Sequence, residues 1–280
     1  MTTELRNRLI AGFSGFFLML IGILWNEWSL WFVFSVIGLM ALHEFFQFAE
    51  KLEAKPLRLY AMFLSVLIWV LAVLTASGKA PDFIWFLVYP AVALVFLIKI
   101  YDKTTTNAFR DIAYTFLALL QVTLPIAFIF PLVYFSKAHY DYLNIFVLLF
   151  FLWIHDIAAY FGGKYLGKTP LFQRISPKKT WEGSFFGALA TIIMLFILHN
   201  AFGEEKMPIY FWAGAACIVI VISTYGDLLM SLYKRNIDIK DSGSSIPGHG
   251  GFLDRFDGFL LIIPFIYTYF WLVRALMFFF

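Results

Sequence analysis

The chain has 280 residues, of which 62% are hydrophobic and 14% charged, with 35 Phe, 9 Trp and a formal net charge of +3. Soluble domains carry about 25% charged residues, so the composition excludes an ordinary soluble enzyme. Apolar runs close to the ~20 residues that a helix needs to cross a bilayer recur throughout. They are longer than barrel strands and do not alternate, which excludes a β-barrel. The expected class is all-α, a polytopic integral membrane protein with about nine transmembrane helices.

In chain order, spans are expected at residues 9–25, 29–48, 60–76, 83–97, 112–134, 143–161, 184–198, 209–233 and 256–279. The stretch from Met1 to Arg8 is short and basic, and the first apolar run has no small-residue cleavage site. It reads as a retained first helix. The single cysteine, Cys217, excludes an internal disulfide and is expected to be a small buried residue. Trp25, Trp28 and Trp212 stand near segment ends, as interfacial anchors do. Connections are short except at 162–183 and 234–255. Residues 1–142 are therefore expected to be packing and lipid-facing helices, and residues 143–280 to carry the chemistry.

With the N-terminus in the cytoplasm, only Lys79, Lys137, Lys206 and Arg274 of the 21 basic residues fall outside. That asymmetry places both long loops in the cytoplasm, the compartment that holds nucleotides.

The charged residues gather near the C-terminus. Ser223, Asp227, Ser231 and Lys234 are spaced to line one face of the eighth helix. An acid at membrane depth is costly and marks either a function or a buried pair. Beyond it lies a segment with Lys234, Arg235, Lys240, Asp241, a Pro247-Gly248-His249-Gly250-Gly251 turn, and then Asp254, Arg255 and Asp257. Asp254 and Asp257, three apart at a helix start, repel unless a cation joins them. With Asp227 they have the makings of a divalent-ion site, although a helix N-terminus alone also favours acids. His249 reads as a phosphate donor or a turn residue before it reads as an acid or base. The other histidines (His43, His139, His155, His199) are assigned to helix ends or outer loops and read as structural. The other long loop carries Gly162-Gly163-Lys164, Gly167-Lys168 and 175–183 (ISPKKTWEG), but lacks the glycine spacing of a complete P-loop. Asp156, just upstream, makes a second intramembrane acid leading into a basic loop, which points to a cavity at the inner face.

These residues resemble the phosphatidate cytidylyltransferases, or CDP-diacylglycerol synthases. The match runs through Ser231, Lys234-Arg235, Lys240-Asp241, 247–251 (PGHGG), Asp254-Arg255 and Asp257. A second motif matches at Ser176-Pro177-Lys178-Lys179-Thr180 and Glu182-Gly183, and Asp156, Ala159-Tyr160 and Gly167-Lys168 also resemble the family. Ile157-Ala158 stands where many bacterial members have Thr-Gly. The resemblance covers roughly the stretch from Asp156 to Gly258.

The resemblance implies transfer of CMP from CTP to phosphatidic acid, giving CDP-diacylglycerol and pyrophosphate, with Mg²⁺ as cofactor. It implies Asp227, Asp254 and Asp257 as metal ligands, and catalytic roles for Lys234, Arg235, Arg255 and His249. Substrate-binding roles fall to Asp156, Ser176, Lys178, Lys179, Thr180, Glu182, Ser231, Lys240 and Asp241. The implied partners are CTP, phosphatidic acid, membrane lipids and a second copy in a homodimer, with no nucleic acid. The implied location is the inner (cytoplasmic) membrane, with the active site facing the cytoplasm. Two alternatives remain open: another CTP-using lipid enzyme, such as a polyprenol kinase or an ether-lipid synthase, and a transporter built on Asp156 and Asp227.

Overall fold

The computed structural model describes residues 3–103, 105–135, 139–237 and 251–279. Helices dominate, as expected. They are α1 (Thr3–Trp25), α2 (Glu27–Lys51), α3 (Arg58–Ala76), α4 (Val88–Tyr101), α5 (Ala108–Ala118), α6 (Leu124–Leu132), α7 (Leu143–Leu166), α8 (Trp181–Phe202), α9 (Ile209–Asn236) and α10 (Leu253–Phe279). A 3-10 turn, Asp82–Leu87, runs into α4, and a π turn, Leu119–Thr123, joins α5 to α6. Among the described residues, 8 segments are long and apolar enough to cross a membrane. With α1, whose apolar part is Ser14–Trp25, they coincide with the expected spans.

The chain forms two compact units. The first comprises Met1–Tyr142 with Ile237–Arg255, and the second Leu143–Asn236 with Phe256–Phe280.

In the first unit, α2 begins with a reciprocal cap. Asn26 Oδ1 accepts the amides of Trp28 at 2.9 Å and Ser29 at 3.0 Å, and Ser29 Oγ accepts the Asn26 amide at 3.0 Å. The core packs Gly38 of α2 against Trp69 of α3 and Ile126 of α6. The π turn precedes Pro125, which has no amide to give to the preceding turn. Trp69 Nε1 donates to the Thr123 carbonyl at 2.9 Å, and Ser65 and Thr123 share a hydroxyl contact of 2.6 Å. Lys99 is buried rather than a solvated loop charge. It donates to the Lys55 carbonyl at 2.7 Å, Asp102 at 2.8 Å, Thr105 at 3.0 Å and Asp111 at 3.1 Å. A buried cation is tolerable only when fully paired in this way.

In the second unit, α7 and α8 pack closely. A Cβ on Gly183 would come within 2.7 Å of the Ala159 carbonyl. Phe211 and Trp212 of α9 meet Phe270 of α10, and Tyr269 donates to the Phe211 carbonyl at 3.0 Å. Further along the same two helices, a Cβ on Gly226 would lie 2.6 Å from Gly258 Cα.

Three expectations need correction. The 162–183 loop is shorter than expected, because α7 continues to Leu166 and α8 starts at Trp181. Between them lies an antiparallel hairpin, β1 (Pro170–Phe172) and β2 (Ser176–Thr180), which the absence of apolar alternation conceals. Cys217 is exposed, not buried, because it lies on an outward face of α9, where a small apolar side chain is equally acceptable.

Candidate active site

The site is assembled from α7, the hairpin, α8 and α9, with α10 behind α9. Thr180 ends β2 and caps α8 by accepting the Gly183 amide at 3.2 Å. Glu182, in the first turn of α8, takes the amides of Lys168 at 3.1 Å and Thr169 at 3.2 Å. Its carboxylate therefore pins the start of the hairpin segment to α8. With both ends tied, the hairpin holds Lys178 and Lys179 beside the residues of α7 and α9 that line one cavity.

A cavity of about 770 Å³ lies beneath. Asp156, Tyr160, Gly163 and Lys164 of α7 form one wall, and Lys168, Lys178, Lys179 and Thr180 form another. Thr224 and Asp227 of α9 close it. Lys179 forms an ion pair with Asp227. Among the described residues, Lys164, Lys168 and Lys178 have no acidic partner. Several unpaired cations around one cavity leave positive charge for an anionic guest.

The Asp227 and Asp257 carboxyls lie close enough to influence each other electrostatically, and Asp257 accepts the Gly258 amide at 2.7 Å. Their proximity follows from the small residues beside them. Gly226 and Gly258 let α9 and α10 approach until backbone meets backbone. Two neighbouring carboxylates, one of them paired with the Lys179 ammonium, form an oxygen set suited to Mg²⁺, which is commonly held by one or two carboxylates plus substrate phosphates. Asp254 does not extend the pair to a cluster. Among the described residues, no group of three or more His, Cys, Asp or Glu side chains is placed to hold a metal ion.

The remaining expected residues fall in several places. Asp156, Lys178, Lys179, Thr180 and Asp227 line the cavity. Ser176 opens β2 opposite Phe172 and does not line it. Glu182 serves the loop backbone. Ser231, Lys234 and Arg235 continue the polar face of α9 past Asp227, and Asp254 and Arg255 lie in the first turn of α10. Lys240, Asp241, His249 and most of the 247–251 turn lie outside the described residues.

Some residues were not expected. His155 is inside α7 rather than at a helix end or in a loop, and is only 2% exposed. Its Nδ1 faces Ser223 Oγ at 3.2 Å and Asp156 Oδ1 at 3.3 Å, tying α7 to α9 beside the cavity. The signal was its position next to Asp156. Lys164 and Lys168 read as positive-inside charge, and only the fold turns them toward one space. In the first unit, Glu44 of α2 is fully buried and accepts the amides of Phe252 and Leu253, both at 2.9 Å. It thus caps the helix that carries Asp254 and Arg255, and nothing in the local sequence around Glu44 announces that partner.

Three relatives, each named phosphatidate cytidylyltransferase, are similar to this chain. The Bacillus subtilis protein is 34% identical over 177 residues, covering 63% of this chain and 65% of the relative. The Thermotoga maritima protein is 32% identical over 173 residues, covering 60% and 63%. The Rickettsia bellii protein is 35% identical over 186 residues, covering 63% and 75%. The chain thus spans somewhat less than two thirds of the length of the first two. The model of the cytidylyltransferase family matches residues 6–273. Since that match runs from α1 into α10, well beyond the charged motifs, the chain belongs to the cytidylyltransferase family.

Proposed function

We propose that this protein transfers the cytidylyl group of CTP to phosphatidic acid, forming CDP-diacylglycerol and releasing pyrophosphate. The observation that carries the reading is the cavity in which, among the described residues, Lys164, Lys168 and Lys178 lack acidic partners while Asp227 on its wall lies close to Asp257. Cations for two polyanions and carboxylates for a divalent ion are what this reaction needs. The names of the similar proteins support the same choice.

A phosphate oxygen of the lipid attacks the α-phosphorus of CTP. A new P–O bond forms, the bond from the α-phosphorus to the bridging oxygen breaks, and pyrophosphate leaves with the electron pair. The nucleophile is already anionic, so the task is to align two repelling groups and receive the leaving charge. Asp227 and Asp257 would hold Mg²⁺, whose charge offsets that of the triphosphate and the departing pyrophosphate. Lys178 and Lys179 lie on the hairpin where they can meet phosphate oxygens. Lys234, Arg235 and Arg255 are the further cations that the family resemblance implies.

The distribution of Lys and Arg supports a site facing the cytoplasm, with the N-terminus on the same side of an inner membrane. A thiol from Arg174→Cys in a Cys217→Ala background should react with an impermeant maleimide only from that side. The homodimer is an expectation of the family resemblance, and light scattering in detergent tests it.

Purified protein with CTP, phosphatidic acid and Mg²⁺ should release pyrophosphate and form CDP-diacylglycerol, identified by mass, only when all three are present. CDP together with a phosphorylated lipid alcohol would point instead to a kinase. Lipid-independent ion flux in vesicles would point to a transporter.

A further inference from the structure

The cavity has two kinds of basic wall. Lys168, Lys178 and Lys179 come from the hairpin and its approach. Lys164 comes from the last turn of α7, a segment long and apolar enough to cross the membrane. Its ammonium lies over two aromatic faces, 5.9 Å from the Tyr160 ring centre and 5.5 Å from that of Tyr165. Phe161 stacks on Tyr165 with an angle of 5° between the rings. Tyr160, Phe161 and Tyr165 are 62%, 48% and 71% exposed, although Tyr160 and Lys164 also line the cavity. At the end of a membrane helix, outward aromatics of this kind sit at the level of lipid headgroups.

We propose that Lys164, framed by Tyr160 and Tyr165, is the binding site for the phosphate monoester of the acceptor lipid, and that the hairpin lysines take the nucleotide. The assignment rests on the reading of the reaction given above. An alkyl-chained phosphate reaches the cavity from the bilayer side, so its first cation should stand on a spanning helix rather than on a loop. The aromatic faces hold the ammonium by cation–π attraction without neutralising it, unlike a carboxylate. Its full charge therefore remains available to an incoming phosphate. A cation in the last turn of a helix is also favoured by the helix dipole and needs no ligand for that, so the test must separate the two roles.

The test uses full-length protein in detergent micelles, with phosphatidic acid varied by surface fraction and CTP varied separately. Lys164→Ala should raise the KM for phosphatidic acid by roughly tenfold or more, the loss expected for one charge-assisted contact. The KM for CTP should stay within about twofold, and Lys164→Arg should restore lipid affinity. Lys178→Ala should show the opposite split. A second arm measures retention of labelled phosphatidic acid against phosphatidylcholine during gel filtration without CTP, where Lys164→Ala should lose the preference. An unchanged lipid KM with undiminished retention, or a rise in the CTP KM alone, would overturn the assignment. Failure of the wild type to release pyrophosphate would instead overturn the reaction, and the retention arm would still decide the role of Lys164.

Discussion

The amide of Leu253 donates to Oε2 of Glu44 at 2.9 Å, although 209 residues separate the two. Phe252 donates to the other carboxylate oxygen at the same distance. A helix start leaves several amides without intrahelical partners, and here a membrane helix from the opposite end of the chain supplies the acceptor. Glu44→Ala should leave both amides unpaired in a buried setting and cost about 1–3 kcal/mol for each. Glu44→Gln, which keeps one acceptor, should be milder. Thermal unfolding followed by retention of monodisperse protein in detergent measures the order; an Ala variant as stable as wild type would contradict the role of the cap.

Asp227→Asn and Asp257→Asn should each lower pyrophosphate release by at least ~100-fold while the protein still inserts and stays monodisperse. Asp254→Asn is expected to behave alike if it joins the pair when substrate is bound. Near-normal turnover at low Mg²⁺ by any of the three would remove that residue from the ligand set.

Lys179 supplies the positive charge beside Asp227. Lys179→Met should therefore bind Mn²⁺ a few-fold more tightly in the absence of CTP, in line with the ~0.2–1 kcal/mol of a partly exposed ion pair. Turnover should fall at the same time, because the lysine is also placed to meet phosphate. Electron paramagnetic resonance of free Mn²⁺ gives the affinity directly; no change would mean that Lys179 and the metal do not compete for Asp227.

Gly226→Ala should push α9 from α10, since the added carbon would lie 2.6 Å from Gly258 Cα and 2.8 Å from the Asp257 carbonyl. A loss of about 1–3 kcal/mol is expected from overpacking. Turnover should fall further than stability, because the displaced segment carries Asp257. Equal activity and melting behaviour in the variant and wild type would show that the helices can yield there.

Cys217→Ala should change stability by less than about 0.5 kcal/mol, as expected for an exposed residue. A large loss would mean that this face of α9 is covered in the assembled protein.

Much of the architecture follows from local composition. An apolar run of about 20 residues has few alternatives to a spanning helix, so the expected segments coincide with the observed ones. The spacing of Ser223, Asp227, Ser231 and Lys234 likewise determines a polar face on α9 whatever the partner. Tertiary structure alone decides which charges meet. Glu182 resembles a substrate residue by motif, yet its carboxylate is spent on two loop amides. Lys164 reads as a topological marker, yet it stands between two tyrosines at a cavity wall. Glu44 and His155 gain their roles from partners 209 and 68 residues away. Hydropathy constrains each segment against lipid one at a time. Pairing between segments depends on how closely their backbones approach, and here that is set by a few glycines such as Gly183 and Gly226.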